Sequence, residues 1–461
     1  MLYIDEGKIG EVLAEGFKAT EGHIEEILAG AGSLRRLSLQ EAAALLSIEE
    51  PRMLKRLFEA ASLVKDRIYG KRVVLFAPLY ISNECSNSCV YCAFRSENRL
   101  LKRRSLSRDE VREEAKCLLE QGHKRALVVA GESAPQGKKA VDYYVESVEA
   151  VYSASVGKNR IRRANINCAP LSIEDFKRLK ASGIGTYQLF QETYHDRTYR
   201  TVHPKGPKSD PDNRMDAIDR AFLAGIDDVG IGALYGLCDY IFETLALLMH
   251  VEHLERRFGV GPHTISVPRI ETASGAEFTR RVPHRLSDEE FKKVVAVLRL
   301  SVPYTGIILS TRESPELRDE LFGLGVSQVS AASRTSPGGY SQPDACDDAQ
   351  FSLNDHRSLD EVIGSIISKG MMPSFCAACY RRERTGQAFM KLARPGAIKD
   401  MCAFNALITL KEYLDDFASD KVRTAGYALI EKEAGRIDAV GRQALGRFFD
   451  AIDNGVRDAY V

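Results

Sequence analysis

Three cysteines, Cys85, Cys89 and Cys92, stand in Cys-x3-Cys-x2-Cys spacing within Ile81-Ser-Asn-Glu-Cys-Ser-Asn-Ser-Cys-Val-Tyr-Cys92, just past the apolar run Val73 to Leu79. Thiolates packed this tightly can hold three corners of a cubane iron–sulfur cluster and leave the fourth iron open. An open iron can bind a cofactor and pass it an electron. A closed zinc site needs a fourth Cys or His nearby, and none follows within the next turn. The competing readings are a zinc knuckle or three buried free cysteines. Asn83 and Asn87 suit a loop that wraps polar groups around an inorganic core, and Tyr91 can pack against an adenine ring. Catalysis built on S-adenosylmethionine radicals uses this cysteine arrangement.

Composition narrows the setting. The chain has 461 residues, no net formal charge and a hydrophobic fraction of 44%, ample for a sizeable core. Neutral balance argues against nucleic acid as a partner. No apolar run approaches the ~20 residues that a membrane helix needs. The start, Met1-Leu-Tyr-Ile-Asp-Glu-Gly-Lys, is neither a basic nor an apolar leader. Ten cysteines with ligand spacing and no export signal point to metal in a reducing cytoplasm, not to disulfides.

Residues 1–70 read as a helical N-terminal extension, with a capping box at Ser38-Leu-Gln-Glu41. From residue 71 short apolar strands alternate with capped amphipathic helices. The expected strands are Val73–Leu79, Arg125–Ala130, Arg163–Ala169, Gly185–Gln191, Asp227–Leu234, His263–Pro268, Gly306–Thr311 and Ser327–Ala331. Helices between them open at Ser107-Arg-Asp-Glu110, Ser172-Ile-Glu-Asp175 and Ser287-Asp-Glu-Glu290. Eight such units predict an α/β fold, a (β/α)8 TIM-type barrel over residues 71–345, with a doubly wound sheet as the rival. Pro337 to Asp348 reads as a turn-rich acidic linker. Residues 346–461 read as a mostly helical C-terminal domain.

That last part holds a second set of thiols. Cys376 and Cys379 form Cys-x2-Cys, and Cys402 follows after 22 residues. Three thiolates again suit a cluster with one iron open. A Cys3His zinc site is the rival, but no His lies beyond His356. A bystander pair with an unrelated Cys402 is the plain alternative. Cys117, Cys168, Cys238 and Cys346 lack ligand spacing and read as free thiols.

Taken together, the two trios and the segments Gly185-Thr-Tyr-Gln-Leu-Phe-Gln-Glu-Thr-Tyr-His195, His203-Pro-Lys-Gly-Pro-Lys-Ser209, Ala224-Gly-Ile-Asp-Asp-Val-Gly-Ile-Gly232 and Gly259-Val-Gly-Pro-His-Thr-Ile-Ser-Val-Pro-Arg269 make the chain resemble a known family. This is the radical S-adenosylmethionine (radical SAM) tyrosine lyase family HydG, the maturases of [FeFe]-hydrogenase. The likeness runs from about residue 20 to about residue 420. It implies two [4Fe-4S] clusters. The first, on Cys85, Cys89 and Cys92, cleaves S-adenosyl-L-methionine. The resulting radical breaks L-tyrosine to p-cresol and a fragment. That fragment becomes CO and cyanide at the second cluster, on Cys376, Cys379 and Cys402, to assemble an Fe(CO)(CN) unit for the hydrogenase H-cluster. The second cluster is implied to carry a labile iron bridged by free cysteine, with His263 as an iron ligand. Implied partners are an electron donor such as ferredoxin or flavodoxin and the other hydrogenase maturases. The tyrosine lyase of thiazole synthesis shares the barrel likeness but lacks the terminal trio. After Arg269, Ile270-Glu271-Thr272 departs from the family pattern, as does Ser133-Ala134 after Glu132. The alternatives are therefore a divergent paralogue acting on another amino acid, or a non-catalytic iron–sulfur carrier.

Several residues at strand ends are further candidates. Glu132 can pair with the cofactor's ammonium group. Gln191, Glu192 and Asn165 are polar groups on apolar strands, where burial without partners is costly. Gly230 and Gly232 let adenosine approach the backbone. Arg334, after the eighth strand, can clamp a substrate carboxylate bidentately.

Overall fold

The computed structural model describes residues 1–342 and 348–461; the expected 345/346 domain boundary and Cys346 lie outside the described residues. Eight parallel strands close into a barrel: β1 (Arg72–Ser82), β2 (Arg125–Ala130), β3 (Arg163–Asn167), β4 (Tyr187–Gln188), β5 (Val229–Gly232), β6 (Thr264–Ser266), β7 (Gly306–Leu309) and β8 (Gln328–Ser330). Each pairs with the next, and β8 closes onto β1 at Val74, Leu75 and Phe76. This is the (β/α)8 architecture expected from the alternation of strands and capped helices. Every one of the eight sits inside its expected segment or overlaps it; β4, β5 and β6 are shorter than their apolar runs.

β1 serves two neighbours. Its first half pairs with β8 and its second half, Ala77 to Ser82, with β2. Pro78 sits at the changeover, and its missing N–H suits a position where the ladder changes partner. A ninth strand, β9 (Met372–Ser374), runs parallel to the start of β1, with Arg72 opposite Met372 and Val74 opposite Ser374. Three residues containing Pro373 carry too little periodicity to be read as a strand from sequence.

Four N-terminal helices, Glu6–Gly16, Glu21–Ala31, Leu39–Leu46 and Pro51–Tyr69, cover the barrel helices Tyr240–Phe258 and Asp288–Ser301. The expected boxes at Ser38, Ser107 and Ser287 are reciprocal capping boxes, as is one at Ser358, while Ser172 caps its helix by accepting from Asp175 N. No described helix is long and apolar enough to cross a membrane.

The chain after β8 returns over the barrel mouth, where Gln350 and Phe351 reach the interior. An ion pair fixes this return. Arg318 is fully buried, donates to Ser330 O, and pairs with the equally buried Asp355, which Arg357 also contacts at 2.7 Å. Asp355→Ala leaves the Arg318 cation buried without a counter-ion, and unfolding stability should fall by about 3–5 kcal/mol. Denaturant titration of the cluster-loaded protein measures this directly; a loss under ~1 kcal/mol would mean that the pair is well hydrated and does not hold the segment.

Candidate functional site

The loop after β1 is clamped before it reaches its first cysteine. Asn83 donates to Lys102 O and accepts from Arg104 N. The Arg103 guanidinium donates to the carbonyls of Asn83, Phe94 and Asn98, tying both ends of the loop together. Cys85, Cys89 and Cys92 then face a cavity of about 190 Å3 at the C-terminal end of the barrel. Asn87 Nδ2 lies 3.7 Å from Cys85 Sγ and Gln350 Nε2 lies 3.6 Å from Cys92 Sγ. Donors to sulfur are among the features that tune cluster potentials.

Burial pushes the Cys89 thiol up to about 12 and the Cys92 thiol up to about 11, and raises Cys85. Thiols in such a place stay protonated unless positive charge meets them, and iron supplies that charge. Among the described residues, no group of three or more His, Cys, Asp or Glu is arranged to hold a single metal ion. Three thiols facing open space, with no fourth ligand, fit a cubane better than zinc.

Five charged side chains share the cavity wall: Glu132, Glu192, Lys208, Arg214 and Arg312. Arg214 Nη1 donates to Glu132 at 2.7 Å, and Asn87 Nδ2 donates to its other oxygen at 2.8 Å. Burial alone would raise the Glu132 carboxyl, but the Arg214 and Lys208 cations outweigh it and hold the pKa below its ordinary value. Lys208 Nζ donates to Glu192 at 2.7 Å. Glu192 takes a positive φ of 73°, rare for a residue with a side chain. Glu243, whose carboxyl burial raises to about 8, braces the neighbouring turn by accepting from Thr193 Oγ1 and Tyr194 N. Tyr91 lines the same cavity and its hydroxyl lies 2.7 Å from His203 Nε2.

The other candidates fall elsewhere. Gln191 is turned away and donates to Pro211 O. Asn165 accepts from Thr186 N, joining β3 to β4. Gln188 and Asn167 face the cavity in their stead. Gly230 and Gly232 are required by strand packing: a Cβ would stand 2.4 Å from Thr264 Oγ1 or 2.6 Å from Ser266 O. Arg334 is outside the wall, with its backbone N donating to Tyr340. Arg312, which the sequence reading missed, reaches the cavity as Arg214 does, and lies over the Phe351 ring at 3.4 Å. Ile270 packs with Val202, Leu234 and Leu237 behind Tyr91, so the departure after Arg269 is outside the cavity wall.

At the opposite end of the barrel, β9 delivers Cys376, the one-turn helix Ala378–Arg381 carries Cys379, and the first turn of helix Lys399–Asp416 carries Cys402. All three line a cavity of about 40 Å3. Arg72, Arg125 and Gln328 enter it from the starts of β1, β2 and β8, and His263 enters just before β6. Burial, then the charge of Cys402, push the Cys379 thiol up to about 12. Arg72 is the compensating cation, since its own charge is favoured by Cys402, Cys376 and Cys379 against burial. His263 Nε2 lies 3.3 Å from the Tyr380 hydroxyl, and its Nδ1 is 3.7 Å from Asp228. Burial lowers the His263 pKa, which keeps the imidazole in the neutral form that binds metal. The Nε atoms of Arg72, Arg125 and Arg163 and both carboxylate oxygens of Asp228 are buried without hydrogen-bond partners. Unsatisfied groups gathered this densely suit a site that is completed by a ligand.

The two cavities share strands. Val74, Arg125 and Gln328 face the lower one, and Phe76, Leu127 and Ser330, two residues further along the same strands, face the upper one. The barrel interior thus lies directly between the two cysteine trios.

Comparison with known proteins places this geometry. The Radical SAM superfamily matches residues 79–249, and the Biotin and Thiamin Synthesis associated domain matches residues 266–372. The second trio lies beyond both. A 2-iminoacetate synthase of Escherichia coli (strain K12) is 32% identical over 342 residues, covering 73% of this chain and 86% of that protein. The crystal structure of HydG, a maturase of the [FeFe]-hydrogenase, has a TM-score of 0.96 and 45% identity, covering 100% of both chains. The HydG maturase from Carboxydothermus hydrogenoformans gives 0.83 and 42%, covering 96% of this chain and 97% of that one.

Proposed function

This chain belongs to the HydG family of radical SAM maturases of [FeFe]-hydrogenase, and from that premise we propose that it is a carbon–carbon lyase. It cleaves L-tyrosine to p-cresol and a fragment that becomes CO and cyanide, for delivery as an Fe(CO)(CN) unit. The observation that carries the proposal is the pair of cysteine trios at opposite ends of one closed barrel.

In this reading Cys85, Cys89 and Cys92 would hold a [4Fe-4S] cluster, which with S-adenosylmethionine would supply one-electron radical chemistry. Glu132 receives the cofactor's ammonium, exchanging its contact with Arg214. Tyr91 and Glu192 border the cofactor. Arg312 takes the tyrosine carboxylate, the role expected of Arg334 from sequence. The closed barrel keeps water from reactive fragments. Small products pass along its interior to the lower cavity, where Arg125 and Arg72 meet them with positive charge. Cys376, Cys379 and Cys402 would hold the second [4Fe-4S] cluster, and His263, in the same cavity, would be a ligand for a further labile iron supplied with free cysteine. A ferredoxin or flavodoxin is the electron source. The test is product analysis under dithionite with S-adenosylmethionine and each of several amino acids; p-cresol from tyrosine supports the reading, and cleavage of another amino acid in preference to tyrosine replaces it with the paralogue reading.

His263 makes a separable prediction. An imidazole binds ferrous iron moderately, which suits a metal that leaves with its diatomic ligands. Asp228 stands 3.7 Å from the His263 Nδ1, beyond hydrogen-bond reach, as a nearby negative charge. His263→Ala should lower iron by about one atom per chain, the occupancy of a single-metal site. Both cubanes and cresol formation should survive. Full iron content in the variant, with undiminished carbonyl product, would make His263 structural.

A further inference from the structure

Cys89 is buried and Cys85 and Cys92 are half-buried behind the loop that carries them, so an electron from a protein carrier reaches them through that loop. Three segments press on that loop from outside. Residues 99–104 follow it directly; Leu101 packs in one apolar cluster with Tyr80 and Phe94, against which Cys85 and Cys92 rest. The segment 202–205 meets it through Val90 N donating to Val202 O and Ser88 N donating to Lys205 O. The segment 278–282 packs Phe278 and Val282 with Val90 and Tyr91.

The exposed side chains of these segments are cationic. Arg99, Lys102, Lys205 and Arg281 are all exposed, and none is held in an ion pair among the described residues. The exposed carboxylates nearby, Glu97 and Glu277, are each paired, with Arg95 and Arg280. Beside them Leu100 is 72% exposed, though its neighbour Leu101 is buried. A chain with no net charge thus places unpaired positive charge and one bare apolar side chain around the loop of its redox site. Complementary charge steers association and fixes orientation more than it adds affinity, which suits a carrier that must dock and leave.

We propose that the rim formed by Arg99, Leu100, Lys205 and Arg281 is the docking surface for an acidic one-electron carrier protein. The carrier is oxidised by one electron and the cluster held by Cys85, Cys89 and Cys92 is reduced by one; no bond forms or breaks at the surface. Leu101, next to Leu100 of the rim, packs in one cluster with Phe94 and Tyr80, which line the cavity with the thiols. The inference rests on the proposed cluster at the upper trio.

The test compares two reductants on the cluster-loaded full chain: dithionite, a small molecule that needs no docking, and a reduced acidic [2Fe-2S] ferredoxin. The readout is the rate of 5'-deoxyadenosine formation. The triple variant Arg99→Glu, Lys205→Glu, Arg281→Glu should raise the KM for ferredoxin about tenfold at low salt and leave the dithionite-driven rate unchanged. In the wild type the ferredoxin KM should rise with ionic strength. An unchanged ferredoxin KM in the triple variant, or a salt-independent KM in the wild type, overturns the proposal. If the triple variant loses the dithionite rate as well, the single changes Arg99→Gln, Lys205→Gln and Arg281→Gln decide on the same criterion. A wild type inert with dithionite would instead sink the cluster assignment on which the surface depends.

Discussion

Replacing Cys85, Cys89 and Cys92 together with Ala should abolish 5'-deoxyadenosine formation, since these thiols are proposed to hold the cofactor-cleaving cluster. The three thiols line the upper cavity, and no other Cys or His stands among the residues that line it. Loss of partners that merely orient a metal ligand costs roughly 10–100-fold, so loss of the ligands themselves should exceed that and take the rate to background. The fold should survive, because the loop is held from outside the site by Asn83 and Arg103. Anaerobic reconstitution followed by chromatography of the nucleoside product checks it. Undiminished cleavage in a folded triple variant would mean that the cluster sits elsewhere.

The lower trio separates the two halves of the chemistry. With Cys376→Ala and Cys379→Ala, cresol formation should stay within about twofold of wild type, since distant sites with no shared partners act independently. CO output should fall by at least about tenfold, the least expected from damage to a metal site. The cavities share no lining residue, which is why the upper reaction should be spared. One risk is physical: Arg72 is buried beside thiols that compensate its charge, and their loss leaves it poorly matched. The milder Cys379→Ser, which keeps a polar group at that place, controls for this. Equal loss of cresol and CO in both variants would reduce the second site to a structural staple.

Much of the barrel was readable because its strands are apolar runs bounded by capped helices, and the caps sit where Ser is followed by an acid three residues later. Side-chain direction was less readable. On β4 the side chains alternate, so Gln188 and Phe190 face the cavity while Gln191 faces the chain packed outside it. A strict period of two would have chosen Gln188 over Gln191. It could not have chosen Arg312 over Arg334, because both follow strands in loops whose path is set by tertiary contacts. Arg214 and Lys208 were hidden for another reason: one lies on an α-helix and one in a single 3-10 turn, and only folding brings them to Glu132 and Glu192. The second site drew four strand starts and three C-terminal elements into one place, and only its cysteine spacing was visible beforehand.

One measurement bears most directly on the claim that a single barrel serves two successive sites. The reconstituted wild-type chain is given tyrosine labelled with carbon-13, S-adenosylmethionine and dithionite, and p-cresol and carbon monoxide are quantified together over time, with infrared detection of the label. The account predicts cresol first, then labelled carbon monoxide following it with a lag. Cresol accumulating with no labelled carbon monoxide in a chain whose lower trio carries its cluster would contradict it.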